Sequence, residues 1–152
     1  MPPDKDDLAE QLGREVLLVG VDASVGGRQA LWHARDIAEI RDAQLVVVFV
    51  RHLPAAAVVG VAGGAGVPVV AASCVEADAV KEQIASMLTD FAGPWKWLVT
   101  EGDPARELSA AAAELDADLI VVGHARRSAR RRSVARRLLQ HTTRSVLVCG
   151  GR

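Results

Sequence analysis

The sequence predicts an α/β fold, in which a single doubly wound, five-stranded parallel sheet carries helices on both faces. The chain has 152 residues, half of them hydrophobic, which suits one domain with a sizeable core. Short apolar runs alternate with segments of helical periodicity, as in parallel sheets joined by crossover helices. The sequence contains no internal repeat, so we expect one domain over residues 14–152 after a flexible N-terminal segment, residues 1–13.

Five segments are predicted to be strands because they are short and mostly rich in Val, Ile and Leu, as strands buried on both faces are. They are residues 17–21, 45–50, 95–100, 119–122 and 146–148. The third is more mixed in polarity and is predicted to lie at an edge of the sheet.

Between the strands, apolar residues recur at the spacing of a helix. The four stripes are Ala30, Leu31, Ala34, Ile37 and Ala38; Val80, Ile84, Met87, Leu88 and Phe91; Leu108, Ala111, Ala112 and Leu115; and Ala135, Leu138, Leu139 and Thr142. Ser73 and Glu76 have the spacing of a capping box, and Asp103 precedes a proline suited to a first helical position. Ser133 is the expected N-cap of the last helix.

Charge is divided unevenly along the chain. Residues 1–118 hold all 19 acidic residues and 9 basic ones, whereas residues 119–152 hold 9 arginines and no acid. The last quarter is therefore a candidate for contact with an anion, while the acidic remainder makes nucleic acid an unfavourable partner.

The remaining composition favours a reduced, cytoplasmic protein. Cys74 and Cys149 form no CxxC pair and are expected to be free, buried thiols. Residues 1–7 lack the pattern of a signal peptide. Residues 52–75 carry no Asp, Glu, Lys or Arg, but their glycines and prolines predict a mobile loop over 53–72 rather than a membrane span.

Familiar catalytic motifs are missing from the sequence. There is no P-loop and no GxSxG, and Gly20, Gly26 and Gly27 lack the spacing of a dinucleotide fingerprint. The four histidines show no metal-binding spacing. We therefore expect a binding protein with no catalytic or metal-ligating residues, and at most a weak ATPase.

Three residues are expected to converge on one crevice if the first and fourth strands are neighbours. Asp22 follows the first strand and either contacts a ribose or adenine group, or caps the first helix together with Ser24. Gly123 ends the fourth strand and permits close approach of a ligand to the backbone, or simply a turn. Ser133 caps the last helix and can also donate a hydrogen bond to a phosphate.

Six arginines between Arg126 and Arg136 crowd the same helix start. Three interpretations are open: the guanidinium groups bind a phosphate, contact a polyanion, or face water. Nucleic acid is the least favoured partner because no aromatic residue lies near the arginines to stack on bases.

Several segments together resemble the universal stress protein family over roughly residues 14–149. These are Val19 to Ser24, Gly102 to Leu108, Ala117 to Gly123, Ser133 to Ala135 with Leu138, Leu139 and His141, and Val146 to Val148. Each is weak alone, but their order and spacing are specific.

The resemblance implies a Rossmann-like sheet in the order 3-2-1-4-5, homodimers often joined through the last strand, and a cytoplasmic role in stress adaptation. It also implies an ATP site in many members. Carried over by position, Asp22 and the backbone of Val50 meet the adenosine, whereas Gly123, Ser133 and Val134 meet the phosphates.

The loop of this chain departs from the family's glycine-rich motif. Arg126 and Arg132 stand where two of its glycines are expected, and the interval from Gly123 to Ser133 is four residues short, which removes up to about 13 Å of reach. Two hypotheses follow. Either the crevice binds an adenine nucleotide or a smaller phosphate ligand through arginine-based contacts at Arg126 and Arg132, or the chain is a dimeric interaction module that does not bind ATP and whose basic loop docks an acidic protein.

Overall fold

A computed structural model describes residues 13–22, 24–51, 67–124 and 133–150, with backbone only for residues 67–74. Its strands are β1 (Val16–Val21), β2 (Gln44–Arg51), β3 (Trp95–Glu101), β4 (Leu119–Gly123) and β5 (Ser145–Cys149). Its helices are α1 (Val25–Arg41), α2 (Val67–Met87), α3 (Pro104–Glu114) and α4 (Val134–His141). All five predicted strands and the alternation of strands with helices are confirmed.

The five strands form one parallel sheet in the order β3-β2-β1-β4-β5. This order confirms the doubly wound topology, and it places β3 at an edge as the polarity of its sequence predicts. In the register of the sheet, Leu17 of β1 pairs with Leu45 of β2 on one side and with Leu119 of β4 on the other. All carboxyl ends therefore lie along one edge, with those of β2, β1 and β4 side by side.

Side chains that alternate along the central strands build a core on each face of the sheet. Leu17, Val19 and Val21 belong to the core covered by α1 and α2, whereas Leu18 belongs to the core covered by α3 and α4. Full burial of one such leucine contributes about 1.5–3 kcal/mol to folding. The apolar stripes of the helices pack on these two faces, which fixes where each helix begins relative to the carboxyl edge.

The second helix begins earlier than the sequence predicts. It starts at Val67, so Ser73 and Glu76 lie inside it and do not form a capping box at its start. Pro68 occupies the second position of the helix, where a proline removes no intrahelical hydrogen bond, and the Ala- and Val-rich residues that follow continue it. The predicted 53–72 loop is therefore wrong from Val67 onward, and residues 52–66 lie outside the described part of the chain.

The last helix packs less deeply than its stripe predicts. Ala135 and Leu138 are buried, but Leu139 is 61% exposed. Helix α4 packs mainly against α3 rather than against the sheet, so only a narrow strip of this eight-residue helix is covered. The apolar stripe predicted for this helix is therefore wrong at Leu139.

No helix within the described residues is both long and apolar enough to cross a membrane.

Candidate functional site

Asp22 leaves β1 at the carboxyl edge and organises the start of α1. Its Oδ1 accepts hydrogen bonds from the backbone N–H of Ser24, at 2.9 Å, and from the Ser24 hydroxyl. The Ser24 Oγ in turn accepts from the backbone N–H of Gly27 at 3.2 Å and is the N-cap of α1. The capping interpretation of Asp22 is confirmed. Asp22 is exposed, and both hydrogen bonds described for its carboxylate end on Oδ1, so Oδ2 is available for a further partner.

Gly123 is a place where two backbones meet. A Cβ at Gly123 would lie 2.3 Å from both the carbonyl carbon and the oxygen of Gly26, in the first turn of α1. A Cβ at Gly26 would in turn lie 3.0 Å from the carbonyl oxygen of His124. The close approach expected at Gly123 is therefore made by the start of α1, and the two glycines bring that helix start against the end of β4.

Val50 lies beside Asp22 across the sheet. The register pairs Val21 with Phe49, so the next residues on the two strands, Asp22 and Val50, are neighbours at the carboxyl edge. The carbonyl oxygen of Arg51 accepts a hydrogen bond of 3.0 Å from the backbone N–H of Gly102, which has a φ of 135° and makes the turn from β3 into α3. The end of β2 is thus tied to the turn that leads to Asp103.

Ser133 is the N-cap of α4, as the sequence predicts. Its Oγ accepts a hydrogen bond from the backbone N–H of Arg136 at 3.4 Å, and its carbonyl oxygen accepts from that of Arg137 at 3.2 Å. Val134 is the first residue of the helix. The first N–H groups of a helix lack intrahelical partners and carry a partial positive charge, so this end is suited to an anion.

Two arginines of the basic quarter are neutralised within the fold. Arg137 Nη1 pairs with Asp103 Oδ1 at 2.5 Å, and Arg144 Nη1 pairs with Asp116 Oδ1 at 2.8 Å. These pairs join the basic C-terminal quarter to the acidic remainder of the chain. Part of the charge asymmetry therefore serves cohesion rather than contact with a ligand.

Arg136 is the other arginine described at this end of the chain. It is exposed in the first turn of α4, and no acidic side chain accompanies it there. A cation in the first turn of a helix is repelled by the positive end of the helix dipole. A nearby anion offsets this repulsion and so stabilises the first turn of α4. Arg126 and Arg132 lie outside the described residues.

From the sequence, Asp103 is expected only as a helix cap. Asp103 Oδ2 does accept from the backbone N–H of Arg106 at 3.2 Å and caps α3, while Oδ1 is free to bind Arg137. A second contact between the same helices, from Ser109 Oγ to the carbonyl oxygen of His141, spans 2.9 Å. No periodicity links residues about 30 positions apart, so neither contact has a signal in the sequence.

Within the described residues, neither a metal-ligand cluster nor the open groove contributes to this edge. No group of three or more His, Cys, Asp and Glu side chains in the described ranges has the arrangement of a metal site. Cys149 is a buried free thiol whose pKa is raised by burial. An open groove lies between α1 and α2 and is lined by Arg28, Glu82, Gln83, Ser86 and Met87, not by Asp22 or Gly123.

Comparisons with known proteins agree with this architecture. Residues 13–150 match the model of the universal stress protein family. A member of that family from Burkholderia pseudomallei is 29% identical, with a TM-score of 0.70 over 89% of this chain and 95% of the other. The universal stress protein UspA of Lactobacillus plantarum is 21% identical, with a TM-score of 0.74 over 90% and 97%.

A third solved structure holds a nucleotide. It is a universal stress protein family protein of Arabidopsis thaliana with AMP bound, 15% identical, with a TM-score of 0.67 over 91% of this chain and 92% of the other. A search of curated proteins found no match.

Proposed function

Since this chain belongs to the universal stress protein family, we propose that it is a regulatory binding protein of the stress response that takes an adenine nucleotide at the carboxyl edge of its sheet. The observation that carries the proposal is the convergence of Asp22, Val50 and Gly123 on neighbouring strands. Helix starts at this edge supply N–H groups suited to phosphate. The AMP-bound relative with the same fold supports the choice of ligand class.

The adenosine end of the proposed site consists of Asp22 and the backbone of Val50. The Oδ2 of Asp22 can accept a hydrogen bond from a ribose hydroxyl or from the amino group of adenine, while Oδ1 stays bound to Ser24. Because Oδ1 is fixed by two hydrogen bonds, Oδ2 is held in one orientation before a ligand arrives. Such preorganisation lowers the entropy cost of binding.

The phosphate end consists of Gly123, Ser133 and Val134. The N–H groups at the start of α4 and the hydroxyl of Ser133 donate to phosphate oxygens in this proposal. Arg126 and Arg132 replace two motif glycines and add charge-assisted contacts from their guanidinium groups. The shortened loop favours fewer phosphates than a triphosphate, so AMP and ADP are expected to bind at least as tightly as ATP.

Binding without efficient turnover is part of the same proposal. Four polar side chains at this edge are engaged as helix caps, namely Asp22 with Ser24, Asp103 and Ser133. A cap already uses its oxygen to accept from backbone N–H groups and is poorly suited to act as a general base. A cytoplasmic role rests on family membership alone.

Calorimetric titration with AMP, ADP, ATP and cyclic AMP tests this function. We expect saturable binding of at least one nucleotide, weakened about tenfold or more by Asp22→Ala, because a hydrogen bond to a charged group contributes about 1.5–3 kcal/mol. Asp36→Ala is the matched control, since it removes another exposed carboxylate from the middle of α1. Flat traces with all four nucleotides, or equal losses in the two variants, would contradict the proposal.

Assembly into a homodimer through β5 is a second element of the proposal. This strand is an edge of the sheet, and Val148 on it is 40% exposed. Leu139 on α4 adds a second exposed apolar side chain at the same end of the sheet. An edge strand with free backbone groups and apolar side chains is suited to pairing with a second copy.

Docking of an acidic protein on the basic loop is the alternative. It depends on arginines outside the described residues, whereas Arg137 and Arg144 are already paired within the chain. Exposed Arg136 is the described feature that favours it. Displacement of an acidic partner protein by added nucleotide would show that the nucleotide and the partner bind at the same surface.

A further inference from the structure

The position of α4 depends on a small number of contacts. The helix has eight residues, and a helix of that length is only marginally stable without tertiary contacts. Ala135 and Leu138 supply its buried apolar surface. Two described side-chain contacts attach α4 to the rest of the fold. The pair between Arg137 and Asp103 holds its first turn, and the hydrogen bond from Ser109 to the carbonyl of His141 holds its last residue.

Asp103 is well placed to fix that first turn. Its Oδ2 is held by the backbone N–H of Arg106, so Oδ1 has a defined position at the start of α3. The Asp103 and Arg137 side chains are only 26% and 37% exposed, so their attraction is less screened than that of a fully solvated pair. The backbone N–H of Arg137 donates to the carbonyl of Ser133. The pair between Asp103 and Arg137 therefore holds the first turn of α4, which begins at the N-cap.

The same turn between β3 and α3 also reaches the other end of the crevice. Gly102 donates its backbone N–H to the carbonyl oxygen of Arg51, one residue beyond Val50. A continuous set of contacts thus runs from the end of β2 through Gly102 and Asp103 to Arg137 and Ser133.

We propose that Asp103 is a positioning residue: by pairing with Arg137 it sets the place of the α4 N-terminus relative to the end of β2. This inference rests on the proposed nucleotide site, because its functional consequence is the alignment of the phosphate end with the adenosine end. Asp103 touches no ligand in this account, and it acts only through α4.

The test compares two Asp-to-Asn changes that each weaken one Asp–Arg pair. Asp103→Asn keeps a good N-cap residue, and Asp116→Asn keeps a residue that tolerates the left-handed conformation found there, at a φ of 52°. Asp116 pairs with Arg144, beyond the C-terminal end of α4, so its variant is the matched control. Arg137→Gln and Arg144→Gln form a second matched pair.

Two measurements are made on each variant. The first is hydrogen exchange of the amides from Arg137 to Thr142, which reports the opening of α4 and needs no ligand. Asp103→Asn and Arg137→Gln are expected to speed this exchange about threefold to fivefold, the upper part of the range measured for exposed ion pairs, and the controls to change it less than twofold. The second is affinity for adenosine and for AMP. The same two variants are expected to weaken AMP by a similar factor and adenosine by less than twofold.

The outcomes separate the two proposals. Unchanged exchange in Asp103→Asn, or an equal change in Asp116→Asn, overturns the positioning role whatever the nucleotide data show. Equal weakening of adenosine and AMP also overturns it, because that pattern reports general destabilisation. If the natural chain binds neither ligand, the proposed function fails, while the exchange data still decide whether Asp103 positions α4.

Discussion

Replacement of Gly123 by alanine tests whether this glycine serves the packing of the fold. The added Cβ would lie 2.3 Å from the carbonyl carbon and oxygen of Gly26, against about 3.4 Å for ordinary van der Waals contact. The two backbones must therefore separate by about 1.1 Å at this point, the difference between those distances. Neither neighbour is the end of a flexible side chain, so the strain cannot be relieved by a rotamer change.

The expected cost follows from this geometry. Overpacking of a well-packed site costs about 1–3 kcal/mol, and a clash between two backbones belongs at or above the upper end. In a domain of this size, 3 kcal/mol lowers the melting temperature by roughly 6–12 °C. The Gly123→Ala chain is therefore expected to melt about 10 °C below the natural chain, without any ligand present.

Thermal unfolding followed by circular dichroism measures the effect against two graded controls. Gly20→Ala meets the flexible end of Leu108 at 2.8 Å and is expected to cost about 1 kcal/mol, whereas Gly150→Ala has no atom within 4 Å and is expected to be nearly neutral. If Gly123→Ala melts within about 2 °C of Gly150→Ala, the packing argument is wrong. Loss of nucleotide affinity without loss of stability would also contradict the packing role of Gly123, although it would leave its place in the ligand site.

Three further predictions follow from single contacts. Ser133→Ala should lower the free energy of unfolding by about 0.5–1 kcal/mol in urea melts, since it removes the α4 cap, whereas Ser133→Asn should retain most of it. Val148→Glu should convert the proposed β5 dimer to a monomer in light scattering with little loss of monomer stability, and a dimeric molar mass for the variant would exclude β5 from the interface. Burial raises the pKa of the Cys149 thiol above its ordinary 9.0, so the folded chain holds this proton more tightly than the unfolded chain. The stability that this thiol contributes is present below pH 9 and is lost as pH rises through the raised pKa. The difference in unfolding free energy between the natural chain and Cys149→Ala should therefore shrink from pH 8 to pH 10. A constant difference would contradict the upward direction of the pKa shift.

The sequence is informative about the sheet because burial on both faces demands apolar strands. The segments that form β1, β2 and β4 consist almost entirely of apolar residues. In the helices between the strands, apolar residues recur every three to four positions. The end of a strand is also visible, which is why Asp22 and Gly123 can be placed on one edge, whereas Val50 enters only through the family resemblance. The caps at Asp103 and Ser133 are also predictable locally, because each is a preferred cap residue directly before a helical stretch.

Contacts between distant segments are not visible in this way. The start of α2 is misplaced because a serine and a glutamate at capping distance also occur inside helices, and nothing local distinguishes the two cases. Leu139 repeats at helical spacing, yet its exposure depends on how α4 leans on α3. The pair between Asp103 and Arg137 joins positions 34 residues apart, and charge alone does not select one acid among 19.

Amide chemical shifts during titration with AMP test the central claim most directly, because they report where a ligand binds as well as whether it binds. The chain is 16.1 kDa, a size suited to resolved amide spectra. We expect saturable shifts concentrated at Asp22, Val50, Gly123 and His124, and at the first turn of α4. Shifts confined to the groove between α1 and α2, spread evenly over the arginines, or absent at saturating nucleotide would contradict it.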